Sequence, residues 1–417
     1  MKKNLWALVV ANSLFGLAFG VYELAFPLFL DDKGVHLETI GLVLAAAGTV
    51  NFLVVVYGGR LADLLGRKRV YGSGLAACAL TNLATPLVPG VGALAVVKTL
   101  QQAAVSVQQA MRGVLVFESV ALDRFQRTFG RLAGLETSCH ALGFLCVGMV
   151  GLGPDAVLSY GGLFAISGAS LAIGWLVFRS LFRDHPLALV DPARRLSLRT
   201  VFAMDLHPKL YLIVASGFVF TVGLSASHAL WPLYFREQLS GPWAESLSAF
   251  AAWLEHTSPW AARVWAGGAR GPQFALISAL AIVHRLAYGV PMFVLAALVH
   301  RRLKSLFIAC LVIQGLMTVG VAVADWTTGR FLPVAVLWPL HDLVGASVWV
   351  PIQERLIQHF SRPDRRGTDV AKVRALIALG AAVGPMVGGL LMAVTPAMPF
   401  FVGGGLCVLS SLVLLAL

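Results

Sequence analysis

The stretch YGGRLADLLGRKRV, residues 57–70, decides how this chain is read. Its basic residues Arg60, Arg67, Lys68 and Arg69 surround one acid, Asp63, with glycines at 58, 59 and 66 and long apolar runs on either side. Of the 417 residues, 58% are hydrophobic and only 12% charged, against about 25% charged in soluble domains. A soluble core of this size cannot cover so much apolar surface, so lipid is part of the solvent.

Apolar runs of roughly 20 residues, enough to cross a bilayer, fall at about 5–30, 37–57, 70–89, 92–117, 129–152, 156–179, 210–234, 273–299, 304–324, 331–352, 371–393 and 397–417. With the N-terminus inside, twenty-four of the thirty-two Lys and Arg residues lie on inside segments and five on outside ones; Lys98, Arg112 and Arg285 fall within spans. The positive-inside rule then sets the orientation, both termini cytoplasmic in a cell membrane. The net charge of +12 is thus membrane topology, and nucleic acid is not an expected partner. The start MKKNLWALVVANS imitates a signal peptide, but its apolar stretch continues to Leu30, too long for a signal h-region, and reads as a retained helix. The five cysteines lie in spans without a CxxC pair, so neither a disulfide framework nor a zinc site is expected. No nucleophile–base pair or soluble catalytic domain stands out, so neither an enzyme nor a cofactor is expected.

The chain divides six spans and six: 1–180, a charged connection 181–209, and 210–417. The expected fold is an all-α membrane protein of twelve transmembrane helices in two pseudo-symmetric six-helix bundles. One outside connection, 235–272, is long and carries four of the ten tryptophans, Trp243, Trp253, Trp260 and Trp265. It reads as an interfacial helix on the outer leaflet, with a lid or a docking surface as alternatives.

The opening stretch resembles the signature loop between helices 2 and 3 of the major facilitator superfamily, G-x-x-x-D-(R/K)-x-G-R-(R/K). Gly59, Asp63, Gly66, Arg67 and Lys68 match it, and Leu64 replaces a basic residue. The resemblance is closest to the twelve-helix drug and metabolite exporter branch. It implies a gate in which Asp63 faces the start of helix 11, near Lys372 and Arg374, and Arg67 pairs with an acid at the end of helix 4, for which Glu118 is available. Helix 11 carries GAAVGPMVGG, with Gly380, Gly384, Pro385, Gly388 and Gly389. This resembles an antiporter motif that exporters carry on helix 5, and it also reads as a packing and bending device.

The fourth span, VKTLQQAAVSVQQAMRGVLVFES, places Lys98, Gln101, Gln102, Gln108, Gln109 and Arg112 within an arc of about 120°. A charge at the bilayer centre costs about 2.5–3.5 kcal/mol on insertion scales, so this stripe must avoid lipid. KTLQQ is similar to the family's R-x-x-Q-G motif, which implies a part in proton coupling for Lys98. On the first span, Asn12 and Glu23 share a face, and Glu23 precedes Pro27 by one turn. Glu23 is expected to supply the counter-charge and to exchange a proton for substrate, or else to be salt-bridged to Lys98. The second half offers His228, His284 with Arg285, and the pair His341–Asp342, candidates for a second proton or substrate site. Glu136 and His140, four residues apart, read as a structural pair. No tight ligand spacing supports a metal site.

These readings converge on a secondary transporter working by alternating access, moving a small molecule through the bilayer, most simply as a monomer. The substrate site would be lined by Asn12, Glu23, Lys98, Gln102, Gln109, His228 and His341, with Arg112 and Asp342 available to coupling. Proton-coupled export of a drug or metabolite is the expected direction. Proton-coupled uptake of a metabolite is the alternative, and a transporter-like sensor or assembly partner is the alternative class.

Overall fold

The computed structural model describes residues 2–120, 122–149, 159–183, 205–265, 270–298, 302–362 and 366–417. In a bilayer every backbone N–H and C=O must be satisfied within the protein, which leaves helices as the simplest spanning element. The described residues accordingly form helices and turns, with no strand among them. The helices are α1 (Lys2–Asp32), α2 (Leu37–Leu65), α3 (Arg67–Ala84), α4 (Val91–Ser119), α5 (Leu122–Gly148) and α6 (Tyr160–Leu181). The second half comprises α7 (Pro208–His228), α8 (Trp231–Ser240), α9 (Ala244–Thr257), α10 (Pro259–Trp265), α11 (Gly271–Leu298), α12 (Leu303–Thr328), α13 (Phe331–Val344), α14 (Ala346–Phe360), α15 (Arg366–Val394) and α16 (Met398–Val413).

Two passages are broken. Pro232 opens α8 and has no N–H for the carbonyl four residues back, that of His228, so α7 and α8 form one interrupted rod. Gly345 separates α13 from α14, where a side chain would collide with the His341 carbonyl and with Gln314. Counting each interrupted pair once and setting α9 and α10 aside, the rods are compatible with twelve passages. Among the described residues, eight stretches are long and apolar enough to cross on their own.

The packing repeats. In the first bundle α1 lies against α5 and α6, α2 against α4, and α3 against α4 and α6. In the second, α7 lies against α15 and α16, α11 against α13 and α14, and α12 against α13 and α16. The bundles meet where α2 runs along α15 and α5 along α11, two contacts that the same pseudo-twofold exchange interconverts. Glycines set how closely they meet. Gly380, Gly384 and Gly388 lie against the α7 backbone at Phe218, Val222 and Ala226, while Gly389 packs on Leu37 and Gly41 of α2. The GAAVGPMVGG motif of α15 is therefore a two-sided packing surface.

The apolar core shows which end is closed. One cluster joins both bundles: Leu24, Leu28, Phe144 and Phe164 pack with Trp231, Phe235, Phe274 and Trp338. Among the described residues, the other end holds two clusters, each confined to one bundle: one built on Ala11, Tyr71, Leu115 and Phe178, the other on Leu210, Phe307, Trp349 and Ile357. Ion pairs reinforce the closed end. Arg236 of α8 meets Asp31 and Asp32 at the end of α1, 2.7 Å from Asp32, and Arg270 also reaches Asp32.

These contacts correct the expected boundary of the 235–272 connection. Residues 235–240 continue as helix, with Phe235 and Leu239 buried and Arg236 neutralised by α1. Residue 243 is also core: Trp243 packs against Tyr234, Phe235 and Phe331. Trp253 and Trp260 are exposed.

Candidate functional site

Two groups of polar side chains lie near the middle of the helices. The first centres on Glu23. Pro27 cannot donate to the Glu23 carbonyl, which loosens α1 at this residue. Gly20 and Gly143 remove the Cβ atoms that would hold α1 and α5 apart, and Gly20 abuts the His140 backbone and ring. His140 Nε2 thereby stands 2.6 Å from the Glu23 carboxylate. From the other bundle, Arg285 Nη2 of α11 donates to Glu23 Oε2 at 2.8 Å. Glu23 is 38% exposed, against 20% for Arg285 and 7% for His140, so the pair is reachable from one side.

The sequence suggests that Glu23 answers Lys98. Instead Lys98 Nζ donates to Gln101 Oε1 at 2.9 Å and lies 4.9 Å from the Tyr22 ring centroid, and no Lys98–Glu23 ion pair forms. The Glu136–His140 pair likewise dissolves: Glu136 binds Arg112 of α4, and His140 turns to Glu23. The α4 stripe avoids lipid through several partners. Gln108 Nε2 donates to Asn12 Oδ1 at 3.1 Å and to the Tyr71 hydroxyl at 3.2 Å, which joins α1, α3 and α4. Asn12 is fully buried in that network, Gln102 is half-buried and Gln109 is exposed.

The second group brings together His228 at the end of α7, His284 on α11, and His341 and Asp342 in the last turns of α13. One nitrogen or oxygen from each lies within 4.8 Å of all the others. His341, His284 and Asp342 are buried. All three rings surround Trp338, with centroid separations of 4.9, 4.8 and 4.7 Å for His284, His228 and His341. In the sequence His284 stands beside Arg285 and nothing connects it to the other imidazoles, because the four residues come from three distant helices.

Of the expected gate, Gly66 caps α3 with φ 90°, a left-handed conformation suited to glycine, and Lys68 Nζ donates to the Phe182 carbonyl at 2.5 Å. Gly59 falls within α2, and Arg67 opens α3. The side chains of Asp63 and Glu118 lie outside the described residues. Near the proposed partner site, Lys372 Nζ donates to Asp205 Oδ1 at 2.7 Å.

Two helical bundles that share an apolar core at one end, with an ion pair bridging them, have the architecture of a multi-pass membrane transporter. The chain belongs to the Major Facilitator Superfamily, whose sequence profile matches residues 8–266, more than half of its length. Among solved structures it is similar to a nucleoside transporter, NupG, at 15% identity over 100% of this chain and 99% of that one, TM-score 0.70. A point mutant of NupG gives 14% identity, 99% coverage of each chain and TM-score 0.75. The human organic anion transporter MFSD10 (TETRAN) gives 15%, 99% of each chain and 0.67. At such identities the likeness is one of fold. No curated protein sequence matches the chain significantly.

Proposed function

We propose that this chain is a proton-coupled secondary transporter of a small organic compound, working by alternating access in a cell membrane. The observation that carries the reading is the 2.8 Å pair between Glu23 and Arg285, which joins the two bundles and is open on one side. With the basic connections inside, the divided end faces the cytoplasm and the fused apolar core closes the outside. A proton on Glu23 removes the charge that holds Arg285, so protonation weakens a contact between the moving bodies. It also frees a guanidinium, which binds carboxylates and phosphates in a bidentate fork. Proton and organic anion then bind together, which favours the same direction for both.

Export in exchange for protons is the second reading. It is favoured by the exposed flank of Glu23 and by Phe19, which stacks on Phe15 and stands edge-on to His140. There a cationic, apolar compound would displace the proton. The likeness in fold to nucleoside and organic anion transporters makes both compound classes worth testing here.

The experiment is a pH-sensitive dye in inside-out vesicles, challenged with organic anions, nucleosides and amphipathic cations, wild type against Glu23→Gln. Proton movement that follows the compound and is lost in the variant supports the reading. Its direction separates cotransport from exchange. Compound flux in Glu23→Gln with unchanged pH dependence would sink the role given to Glu23.

A further inference from the structure

We infer that His228, His284, His341 and Asp342 form a binding site for one divalent transition-metal ion of the zinc class, inside the second bundle. Ligands about 2.0–2.2 Å from a tetrahedral ion stand about 3.4 Å from one another. Three separations already have that scale, the two at Asp342 being made to different oxygens of its carboxylate. His341 Nε2 lies 3.1 Å from His228 Nε2 and 3.4 Å from Asp342 Oδ1, and His284 Nε2 lies 3.0 Å from Asp342 Oδ2.

The protons on two of the rings are fixed by their surroundings. His228 Nδ1 donates to the Leu224 carbonyl at 3.1 Å, and His341 Nδ1 donates to the Trp338 carbonyl. A carbonyl can only accept, so both Nδ1 atoms carry hydrogen, and in neutral imidazoles both Nε2 atoms are bare. Two lone pairs then face each other at 3.1 Å, which is repulsive until a cation sits between them. A backbone carbonyl on the second nitrogen is also what orients a metal-bound histidine.

Asp342 is prepared in the same way. The indole N–H of Trp349 donates to Gln314 Oε1 at 2.5 Å, which turns the Gln314 amide N–H toward Asp342 Oδ1, 3.1 Å away. An indole nitrogen can only donate, so the amide orientation is determined. His284 Nε2 is buried without an aligned hydrogen-bond partner among the described residues, although it stands within ion-pair distance of Asp342.

Position adds a second argument for a cation. α7 ends at His228 and α13 ends two residues beyond Asp342, so two helix C-termini, with their partial negative charge, converge here. Interrupted membrane helices place ion sites in this way. Three imidazoles and one carboxylate suit zinc and its neighbours, whereas calcium and magnesium take oxygen ligands. Because α7, α11 and α13 each supply a ligand, a bound ion would tie three helices of one bundle together beside Arg285. The assignment does not depend on proton coupling.

The test uses the untagged full-length chain in detergent, stripped with chelator and titrated with Zn²⁺ by calorimetry and with Co²⁺ by visible absorption. The expected result is one ion per chain, a tetrahedral Co²⁺ spectrum, and an affinity at least about 10-fold lower in His341→Ala and Asp342→Asn. Gln314→Leu, which only orients Asp342, should lower affinity by about 10–100-fold. Loss of the exposed His256 and His359 should leave it unchanged. Should the ligand variants fail to fold, X-ray absorption of the zinc-loaded wild type decides. Two or more imidazoles at about 2.0–2.1 Å support the site. Fewer than two, or no stoichiometric binding, overturns it.

Discussion

Glu23 of α1 and Arg285 of α11 are joined by a 2.8 Å hydrogen-bonded ion pair across the divide between the two bundles. Each is costly to hold alone in a membrane interior, so each stabilises the placement of the other. Removing either charge should therefore hurt more than removing both. Glu23→Gln and Arg285→Gln are each expected to lower the melting temperature in detergent, and the double variant to recover part of the loss. The coupling should be about 0.5–3 kcal/mol, the range for residues in direct contact. Strictly additive shifts would show that the two charges do not sense each other in the folded protein.

Glycine spacing on α15 makes a sharper steric prediction. A methyl at Gly388 would run into the Ala226 backbone of α7, and one at Gly384 into Val222 and Ser225. Gly388→Ala should cost about 1–3 kcal/mol, as overpacking does elsewhere, because backbone cannot rotate aside. Gly405 on α16 has nothing within 4 Å of the same position. Gly405→Ala should leave the melting temperature unchanged or raise it slightly. Equal effects at both positions, measured in detergent, would mean that α7 and α15 do not approach as described.

The contrast between those glycines also marks what the sequence could disclose. Run length and the Gly59–Asp63–Gly66–Arg67 spacing identify the bundle architecture, because a bilayer demands apolar helical runs of about 20 residues and Gly66 must turn with positive φ. Pairing across helices has no such local signature. Glu136 looks matched to His140 one turn away, yet Arg112 and Glu23 take them from other helices. FREQLS, 235–240, looks like a loop because it is polar, and it is helical because α1 brings two aspartates to Arg236. The imidazole cluster was hidden for the same reason: more than fifty positions separate His228 from His284 and His284 from His341.

At the divided end, Asp205 offers a pH test. The hydrogen bond from Lys372 lowers its carboxyl to about 2, against the smaller opposing effect of desolvation and with help from the Lys372 and Arg362 charges. An aspartate in the unfolded chain titrates near about 3.9. A depressed folded value gives stability that is complete above the unfolded value and is lost as pH falls toward the folded one. Wild type should therefore melt above Asp205→Asn by a constant margin from neutral pH to about 5, and the margin should shrink below about 4. A margin independent of pH would show that the Lys372 contact contributes nothing through charge.

The tryptophans of the 235–272 connection should separate by burial, although they look alike in the sequence. Trp243 is 1% exposed and packs edge-on against Tyr234 and Phe331, so it is part of the apolar core that joins the bundles at the closed end. Trp260 is 72% exposed. Trp243→Ala empties an aromatic site in a core and should cost about 3–5 kcal/mol. Trp260→Ala removes a ring with little protein around it, and surface changes of that kind stay within about 0.5 kcal/mol. Exposed tryptophans favour the headgroup region, so Trp260→Ala should instead blue-shift less of the fluorescence when detergent is exchanged for bilayer. Melting curves and emission spectra of the two variants therefore move in opposite ways. If Trp260→Ala destabilises as much as Trp243→Ala, the α9–α10 segment is held by the protein and not by the lipid surface.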